Sequence, residues 1–370
     1  MRVTAVEVFP VDIPFRVKFS HSLKERTSSE SIIVKVTLDS GQTGYGEGLP
    51  REYVTGETVA SAVEVIRSKV MPLLLSREFS SAQDIVQFVS HLSHQVSACA
   101  GAAQCAVELA CLDAAGKAAG VSVSEFIGGR KRHKVYYTGV IGAGPVTKVI
   151  KYGFLYRFGG FKYVKLKVGG PNDIDKLKAL RQIVGYGVDI RVDANCAWTV
   201  DEAVKMIAQM RRLGVRTVEQ PLPAADIEGL KKLTRDTGVT ISVDESLSTV
   251  ADAQLLIREK ACSMFNIRIS KCGGIFASQR LYETARRNGI KCQLGCQVGE
   301  TSILSAAGRH LALLWDDVEY VEGSYGTLLL RQDIACKKVM FGLRGAGGPI
   351  TGPGLGIHDI HTGFFKTLAS

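Results

Sequence analysis

The order of apolar and polar positions divides the chain into two parts with different patterns. Residues 1–48 contain three strand-like runs, the second preceded by the polar, basic segment RVKFSHSLKERTSS. Helical patterns follow, in ETVASAVEVIRSKVMPLLL, SAQDIVQFVSHLSHQVS and the small-residue stretch GAAQCAVELACLDAAGKAAG. Strands followed by helices predict an α+β domain over residues 1–130.

From about residue 134, short apolar strands alternate with amphipathic helices. The strands are VYYTGVIG, YVKLKVG, DIRVDAN, VRTVEQP, TISVDES, MFNIRIS and IKCQLGC, and an eighth is expected within VEYVEG, residues 318–323. This repetition predicts an α/β fold: a modified TIM barrel, (β/α)7–8, over residues 131–345. The Gly-rich tail, residues 346–370, is expected to return to and complete the N-terminal capping domain. An open doubly wound sheet is the alternative, but no glycine fingerprint follows the first strand.

Composition narrows the class of protein. The chain has 370 residues, 46% hydrophobic and 22% charged, which predicts a sizeable core. It shows neither a signal peptide nor an apolar run of roughly 18 residues, so we expect a cytoplasmic protein without membrane contact. Its nine cysteines form no Cys-x-x-Cys pair and are interpreted as structural thiols. The net charge of +10 is spread along the chain, which argues against nucleic acid and leaves attraction of anionic substrates open.

Charged residues stand where the predicted barrel strands end. Lys165 and Lys167 share one face of the second strand, and Asp193, Glu219 and Asp244 end the next three. From Lys167 onward to Arg268 the spacing is 26, 26, 25 and 24 residues, about one βα unit each. The active site of such a barrel lies at these carboxyl ends. Each acid alone could instead cap the following helix, but acids on three successive strands indicate a shared site.

Converging carboxylates repel one another unless a cation binds them. Oxygen ligands on rigid strands suit Mg²⁺, with Mn²⁺ as an alternative. A metal-bound substrate carboxylate would stabilise the anion formed when the α-proton leaves. Lys167 is the candidate base, and Lys165 would lower the pKa of Lys167 and hold the carboxylate.

The motifs KLK, VDAN, VEQP, VDES and NIRISKCGG resemble the enolase superfamily, specifically its muconate-lactonising enzyme subgroup within the mandelate racemase/muconate lactonising enzyme family. The resemblance covers nearly the whole chain. It implies that Asp193, Glu219 and Asp244 hold Mg²⁺ and that Lys167 is the base, assisted by Lys165. It also implies a small-molecule carboxylate substrate and a homo-oligomer, commonly of eight subunits.

Strand six departs from that subgroup. Its pattern resembles N-x-K-x-x-K-x-G-G, in which the first lysine is catalytic, and this position is Arg268 here. An arginine stays protonated, so it is a poor base but a good partner for anions. Strand alternation puts Asn266 and Arg268 on a face that Lys271 does not share. A shifted register, with Lys271 in the site, is the alternative.

Substrate specificity is expected from two loops of the cap and from strand eight. The first loop holds Arg16, Lys18, His21, Lys24 and Arg26, and suits a second anionic group unless these charges are merely solvated. The second covers residues 50–58, where Tyr53 could close over the substrate. Strand eight lacks the Asp-x-Asp pair that the resemblance associates with dipeptide epimerases. The candidate substrate-contacting or supporting residues are Asn195, Asn266, Lys271, Glu300, Glu322, Tyr53 and His21.

The predicted activity is Mg²⁺-dependent abstraction of the proton α to a carboxylate, by an isomerase or lyase. Because of Arg268, we rank cycloisomerisation or syn-elimination, as in muconate cycloisomerase or o-succinylbenzoate synthase, above racemisation. An N-acyl amino acid or dipeptide racemase is the alternative. A non-catalytic anion-binding barrel is a third hypothesis, which the presence of Lys167 disfavours.

Overall fold

The structure is a computed structural model that describes residues 1–20, 25–92 and 100–365. It opens with an antiparallel sheet of order β1-β2-β3, formed by β1 (Val3–Ser20), β2 (Glu25–Leu38) and β3 (Thr43–Gly48). The three strands predicted within residues 1–48 are therefore confirmed. The first specificity loop is shorter than predicted, because Arg16, Lys18 and Arg26 belong to β1 and β2. His21 and Lys24 lie outside the described residues.

Short helices and one long helix complete the cap. They are α1 (Glu52–Thr55), α2 (Val59–Val65), α3 (Met71–Leu75), α4 (Ala82–Ser90), α5 (Gly101–Ala119) and α6 (Val123–Phe126), with a π turn over Ile66–Val70 between α2 and α3. The second predicted loop contains the one-turn helix α1. Glycine and alanine, which make up much of α5, lose no side-chain entropy on burial, and nearly every residue of α5 is buried.

Helix α5 lies unusually close to β3. The alternate glycines of TGYGEG face the alanines that recur every four residues on α5. A Cβ added at Gly46 would lie 1.9 Å from the backbone oxygen of Ala106, and one at Gly48 would lie 2.1 Å from that of Ala102. The absence of side chains on this face of β3 is what allows the helix to approach.

The rest of the chain forms the barrel, a separate two-stranded sheet and the tail. Its elements are β4 (Val135–Tyr136), β5 (Gly139–Ile141), α7 (Val146–Phe158), β6 (Tyr163–Lys167), α8 (Asp173–Val184), β7 (Asp189–Asp193), α9 (Val200–Arg212), β8 (Thr217–Glu219), α10 (Ile227–Asp236), β9 (Thr240–Val243), α11 (Val250–Arg258), β10 (Met264–Arg268), α12 (Ile269–Cys272), α13 (Ile275–Arg287), β11 (Lys291–Gly295), α14 (Ser302–Leu314), β12 (Tyr320–Val321), α15 (Gly326–Leu329) and β13 (Ala346–Gly347). Two 3-10 turns lie at Leu343–Gly345 and Thr362–Phe364.

Eight strands, β5 to β12, lie side by side in chain order and pair in parallel. A parallel bridge between Tyr137 and Val321, with the Thr138 amide donating to the Val321 carbonyl at 2.9 Å, links the last strand back to the first. The predicted barrel is confirmed. The first predicted strand is divided, because β4 pairs with β13 of the tail and only β5 joins the barrel.

Buried carboxylates attach the cap to the barrel. Glu47 of β3 accepts hydrogen bonds from the amides of Thr301 and Leu304 at the start of α14. Glu108 of α5 accepts one from the amide of Ile275 at the start of α13. Both helices follow barrel strands, so the cap covers the carboxyl ends of those strands.

The tail contacts the cap as expected. The Leu355 amide donates to Asp113 of α5 at 2.8 Å, and the ring of Phe365 stacks on Phe9 of β1 at 4.4 Å. Over the described ranges, no helix is long and apolar enough to cross a membrane. The cysteines of those same ranges are all free thiols, most of them buried.

Gly46→Ala tests the close approach of α5 to β3. The new methyl group forces the helix away from the sheet, and we expect a loss of about 1–3 kcal/mol or more in the free energy of unfolding, measured by urea denaturation. Gly308→Ala on α14 is the matched control, because no atom lies within 4 Å of its added Cβ. The control should be neutral or stabilise by up to about 1 kcal/mol. Equal stability of the two variants would contradict this packing.

Candidate active site

The ends of three neighbouring strands bring Lys167, Asp193 and Glu219 into register. Lys167 of β6 pairs with Asp193 of β7, and Asp193 pairs with Glu219 of β8. The ammonium of Lys167 donates to Asp193 Oδ2 and to Asn195 Oδ1, both at 2.6 Å. Asn195 adopts the left-handed conformation (φ 44°), which directs the chain back over the strand end.

Lys165 lies deeper in the barrel, surrounded by acids. Its ammonium is 3.3 Å from Asp193 Oδ2, 3.3 Å from Glu219 Oε1 and 2.7 Å from Glu322 Oε1. Burial alone would lower the pKa of Lys165, but these carboxylates outweigh it and raise that pKa. These contacts therefore favour the charged form of Lys165.

The pKa values of the buried acids shift in different directions. Burial would raise the pKa of Asp193, but the charges of Lys167 and Lys165 lower it well below its usual range. Burial is likewise outweighed at Glu322, where Lys165 and Arg191 lower the pKa to about 2. Burial and the charge of Asp193 raise the pKa of Glu219. The charge of Glu219 is thus incompletely compensated, although its carboxylate accepts hydrogen bonds from the side-chain amides of Asn266 and Gln293.

Arg268 is the strand-six residue that faces the site. It ends β10, and its guanidinium donates to the carboxylate of Asp244. Lys271 belongs to the one-turn helix α12 rather than to the strand. Its ammonium is buried and donates to Asp244 Oδ1 at 2.8 Å, the Asp244 carbonyl at 2.6 Å and the Asn266 carbonyl at 3.2 Å. Although burial lowers the pKa of Lys271 to about 8, its three protons all have acceptors beneath the site.

The three acids predicted to bind a metal are all fully buried and end adjacent strands. Within the described part of the chain, no three acidic, histidine or cysteine side chains already converge as a metal cluster. Lys165, Lys167, Arg268 and Lys271 contact these acids instead. The donor set nevertheless fits Mg²⁺, because it consists of carboxylate oxygens, and the neighbouring Glu245 Oε2 is a buried oxygen without a hydrogen-bond partner.

A cavity of about 400 Å³ opens above these charges. The predicted site residues that line it are Lys165, Lys167, Arg268, Asn195, Glu300, Glu322 and Tyr53. Lys271 is not part of its lining, so the structure does not place this lysine against a substrate. Asp193, Glu219, Asp244 and Asn266 lie below the cavity floor, at 0% exposure.

The structure also shows the contacts of three other predicted residues, Glu300, Tyr53 and Glu322. Glu300 accepts a hydrogen bond from the Gln297 amide, and burial raises the pKa of Glu300 to about 8. Tyr53 is half-buried on α1, and the guanidinium of Arg26 lies 5.7 Å from its ring centre. Glu322 contacts Lys165 and Arg191, so it is not free to bind a substrate ammonium group.

Three side chains that contact the site residues were not identified from the sequence. Arg191 donates to Glu322 and, at 3.0 Å, to Thr138 Oγ1. Gln293 holds Glu219 at 2.7 Å, and Glu245 accepts from Asn195 at 3.1 Å. Arg191 and Gln293 are polar residues inside apolar strands, two positions before the strand end. That alternation was the available signal, since such residues share the inward face.

Comparison with known families agrees with this geometry. Residues 3–128 match the family model "Mandelate racemase / muconate lactonizing enzyme, N-terminal domain", and residues 155–358 match "Enolase C-terminal domain-like". The fold and the family models define an enzyme with an enolase-type barrel and an N-terminal cap. The chain belongs to the mandelate racemase/muconate lactonising enzyme family of the enolase superfamily.

Relatives of known name are isomerases. The hydrophobic dipeptide epimerase of Enterococcus faecalis is 32% identical over 321 residues, covering 84% of this chain and 87% of the relative. Its structure "complexed with Mg and dipeptide L-Leu-L-Tyr" has a TM-score of 0.88 at 30% identity, covering 97% of this chain and all of the other. The N-succinyl Arg/Lys racemase structure from Bacillus cereus gives a TM-score of 0.90 at 28% identity, covering 98% and 97% of the chains. Muconate cycloisomerase 1 of Rhodococcus opacus is 28% identical over 366 residues, 96% of each chain.

These similarities show an isomerase of the enolase superfamily, either a racemase or epimerase or a cycloisomerase. They favour racemisation or epimerisation over cycloisomerisation and elimination, the reverse of the ranking drawn from the sequence. That ranking rested on Arg268 alone. The choice between these reactions therefore depends on whether Arg268, on strand six, leaves the site without a second base.

Proposed function

We propose that this protein abstracts the proton α to the carboxylate of a small-molecule substrate, with Lys167 as the base. The observation that supports this most directly is the position of Lys167 at the cavity floor, beside a deeper lysine that stays charged. The neutral Lys167 amine accepts the α-proton, and the electron pair of the broken C–H bond moves toward the carboxylate. The ammonium of Lys165 and the guanidinium of Arg268 stabilise the resulting negative charge.

Asp193, Glu219 and Asp244 would hold Mg²⁺, with Mn²⁺ as the alternative metal. When bound, the ion would supply positive charge that stabilises the deprotonated carboxylate substrate. The Mg named for the Enterococcus faecalis epimerase structure supports this assignment. Arg268 and Lys271 would have to share Asp244 with the ion, because both now donate to it.

Proton abstraction on a single face fits this site best. Arg268 stands where the family resemblance places a second catalytic lysine, and it remains protonated. Lys271 is withheld from the cavity by its three acceptors. Cycloisomerisation is the one-base reaction consistent with a named relative, muconate cycloisomerase 1.

The second candidate is racemisation or epimerisation of an N-acyl amino acid or dipeptide, which the names of several relatives favour. It requires a proton donor on the face opposite Lys167. It also requires a site for the substrate's amino or acylamino group, and Glu322 is already bound to Lys165 and Arg191. Assembly into a homo-oligomer remains a proposal from the family resemblance.

Lys167→Ala tests the assignment of the base. Exchange of the α-proton for deuterium, followed by ¹H NMR in D₂O with Mg²⁺ over a panel of N-succinyl amino acids, dipeptides and dicarboxylates, should fall at least about 10³-fold. Lys178→Ala is the matched control, since this lysine is 56% exposed and bonds only Asp175 at the surface. Unchanged exchange in Lys167→Ala would overturn the proposal.

Arg268→Lys tests whether one residue removes the second base. The shorter lysine can lose its proton, so the variant should incorporate deuterium with partial inversion at the α-carbon, measured by chiral chromatography of recovered substrate. Arg268→Met is the control and should show no inversion, because it supplies neither charge nor base. If Arg268→Lys retains configuration as fully as Arg268→Met, residue 268 does not decide the stereochemical course.

A further inference from the structure

One side of the cavity is a continuous group of aromatic rings, here called the aromatic wall: Tyr152, Tyr156, Phe161, Tyr325 and Phe341. We propose that the aromatic wall binds an apolar, preferentially aromatic group of the substrate, and that this group rather than a second charge determines specificity. The inference rests on the proposed function, because it assumes that the substrate carboxylate lies at the charged floor.

The rings of the aromatic wall are packed against one another. Phe161 lies 4.9 Å from Tyr156 and 5.9 Å from Phe341, centre to centre, and Tyr325 meets Phe341 edge-on at 5.2 Å. Tyr152 extends the group, 6.0 Å from Tyr156. Such mutually packed rings are held in place and form a preorganised apolar surface.

The hydroxyl groups of Tyr156 and Tyr325 are hydrogen-bonded to backbone groups at the first barrel strand. Tyr156 donates to the Val140 carbonyl at 2.7 Å, and Tyr325 donates to the Thr138 carbonyl and accepts from the Val140 amide at 3.1 Å. These two residues therefore offer ring carbon, not hydroxyl, to a ligand. Val140 of β5 pairs with Lys165 of β6, so the aromatic wall begins directly beside the strand that bears Lys165 and Lys167.

Two cations that border the cavity are already engaged. Arg51 is buried and donates to the carbonyls of Glu30 and Pro50, each at 2.8 Å, and to that of Val298 at 3.0 Å. Lys148 donates to the Ala143 carbonyl at 2.8 Å, and burial lowers its pKa. A substrate carboxylate that bound Arg51 or Lys148 would have to displace these backbone bonds, so neither cation is arranged to receive a second acidic group.

Apolar side chains at the cavity lining remain in contact with solvent. Val17 of β1 is 60% exposed, Leu155 of α7 58% and Leu328 of α15 54%. Three exposed apolar groups around one opening are a surface that a ligand can cover with a favourable release of water. Their location on both the cap and the barrel matches an apolar group that extends from the charged floor toward the opening.

Isothermal titration calorimetry of the full chain with Mg²⁺ tests the inference by binding alone. One probe series varies the side chain (N-acetyl-L-phenylalanine, N-acetyl-L-aspartate and N-acetyl-L-lysine), and the other varies the acyl group (N-benzoylglycine and N-succinylglycine). We expect the aromatic member of at least one series to bind about tenfold more tightly than its charged counterparts. Tyr152→Lys, which replaces a ring of the aromatic wall by a charged side chain, should remove about tenfold of that affinity. Phe158→Lys is the matched control, on the same helix and 83% exposed but outside the cavity lining, and should bind as the wild type does.

Equal affinities within both series, or a preference for a charged member, would overturn the inference. So would an aromatic preference that survives in Tyr152→Lys. Deuterium exchange separates this result from the proposed function. Aromatic binding without α-proton exchange would uphold the aromatic wall and reject the chemistry, whereas exchange that is indifferent to the varied group would do the opposite.

Discussion

The site depends on mutual neutralisation of charges that the fold buries at the carboxyl ends of the barrel strands. Five carboxylates and five basic groups meet there: Asp193, Glu219, Asp244, Glu245 and Glu322, with Lys165, Lys167, Arg191, Arg268 and Lys271. A single charge left unpaired in such a place costs several kcal/mol by the usual magnitudes. Each side chain is therefore fixed by its partners as well as by its strand. A divalent metal ion that entered this network would add positive charge, which a substrate carboxylate would partly offset.

Arg268 satisfies this constraint through its ion pair with Asp244, and in the proposed mechanism it also changes the chemistry. Replacing a lysine by an arginine keeps the positive charge that Asp244 requires, so the network and the fold can tolerate the exchange. The guanidinium, however, does not give up its proton, so the same replacement removes a base. Charge balance and catalytic capacity are separable at this position. Overall similarity to epimerases is thus compatible with a different stereochemical course.

The strand-end residues could be predicted from the sequence because barrel geometry repeats. Lys167, Asp193, Glu219 and Asp244 each follow an apolar strand at intervals of one βα unit. Arg191 was missed, since its partner Glu322 is 131 positions away and no local pattern joins the two. Lys271 was assigned by strand alternation, but the strand ends at Arg268 and a helical turn follows.

The aromatic wall could not be predicted from the sequence either, because its residues are far apart along the chain. It joins rings from α7 and its following turn to rings near strand eight, and only tertiary packing brings these together. The first barrel strand was predicted as too long, because Val135 and Tyr136 pair with the tail instead. Local periodicity thus predicted the charged residues at the strand ends, whereas the shape of the cavity depends on long-range packing that periodicity does not show.

The most direct test of the central claim is the stereochemical course of deuterium incorporation by the wild-type protein in D₂O with Mg²⁺, using one enantiomer of a substrate that exchanges. Because Lys167 is the proposed base, and neither Arg268 nor the buried Lys271 offers the cavity a second one, the α-deuterium should appear with retention of configuration. Deuterium in the inverted enantiomer at a comparable rate would contradict the account. It would mean that a second group, Lys271 or a water, delivers a proton to the opposite face despite Arg268.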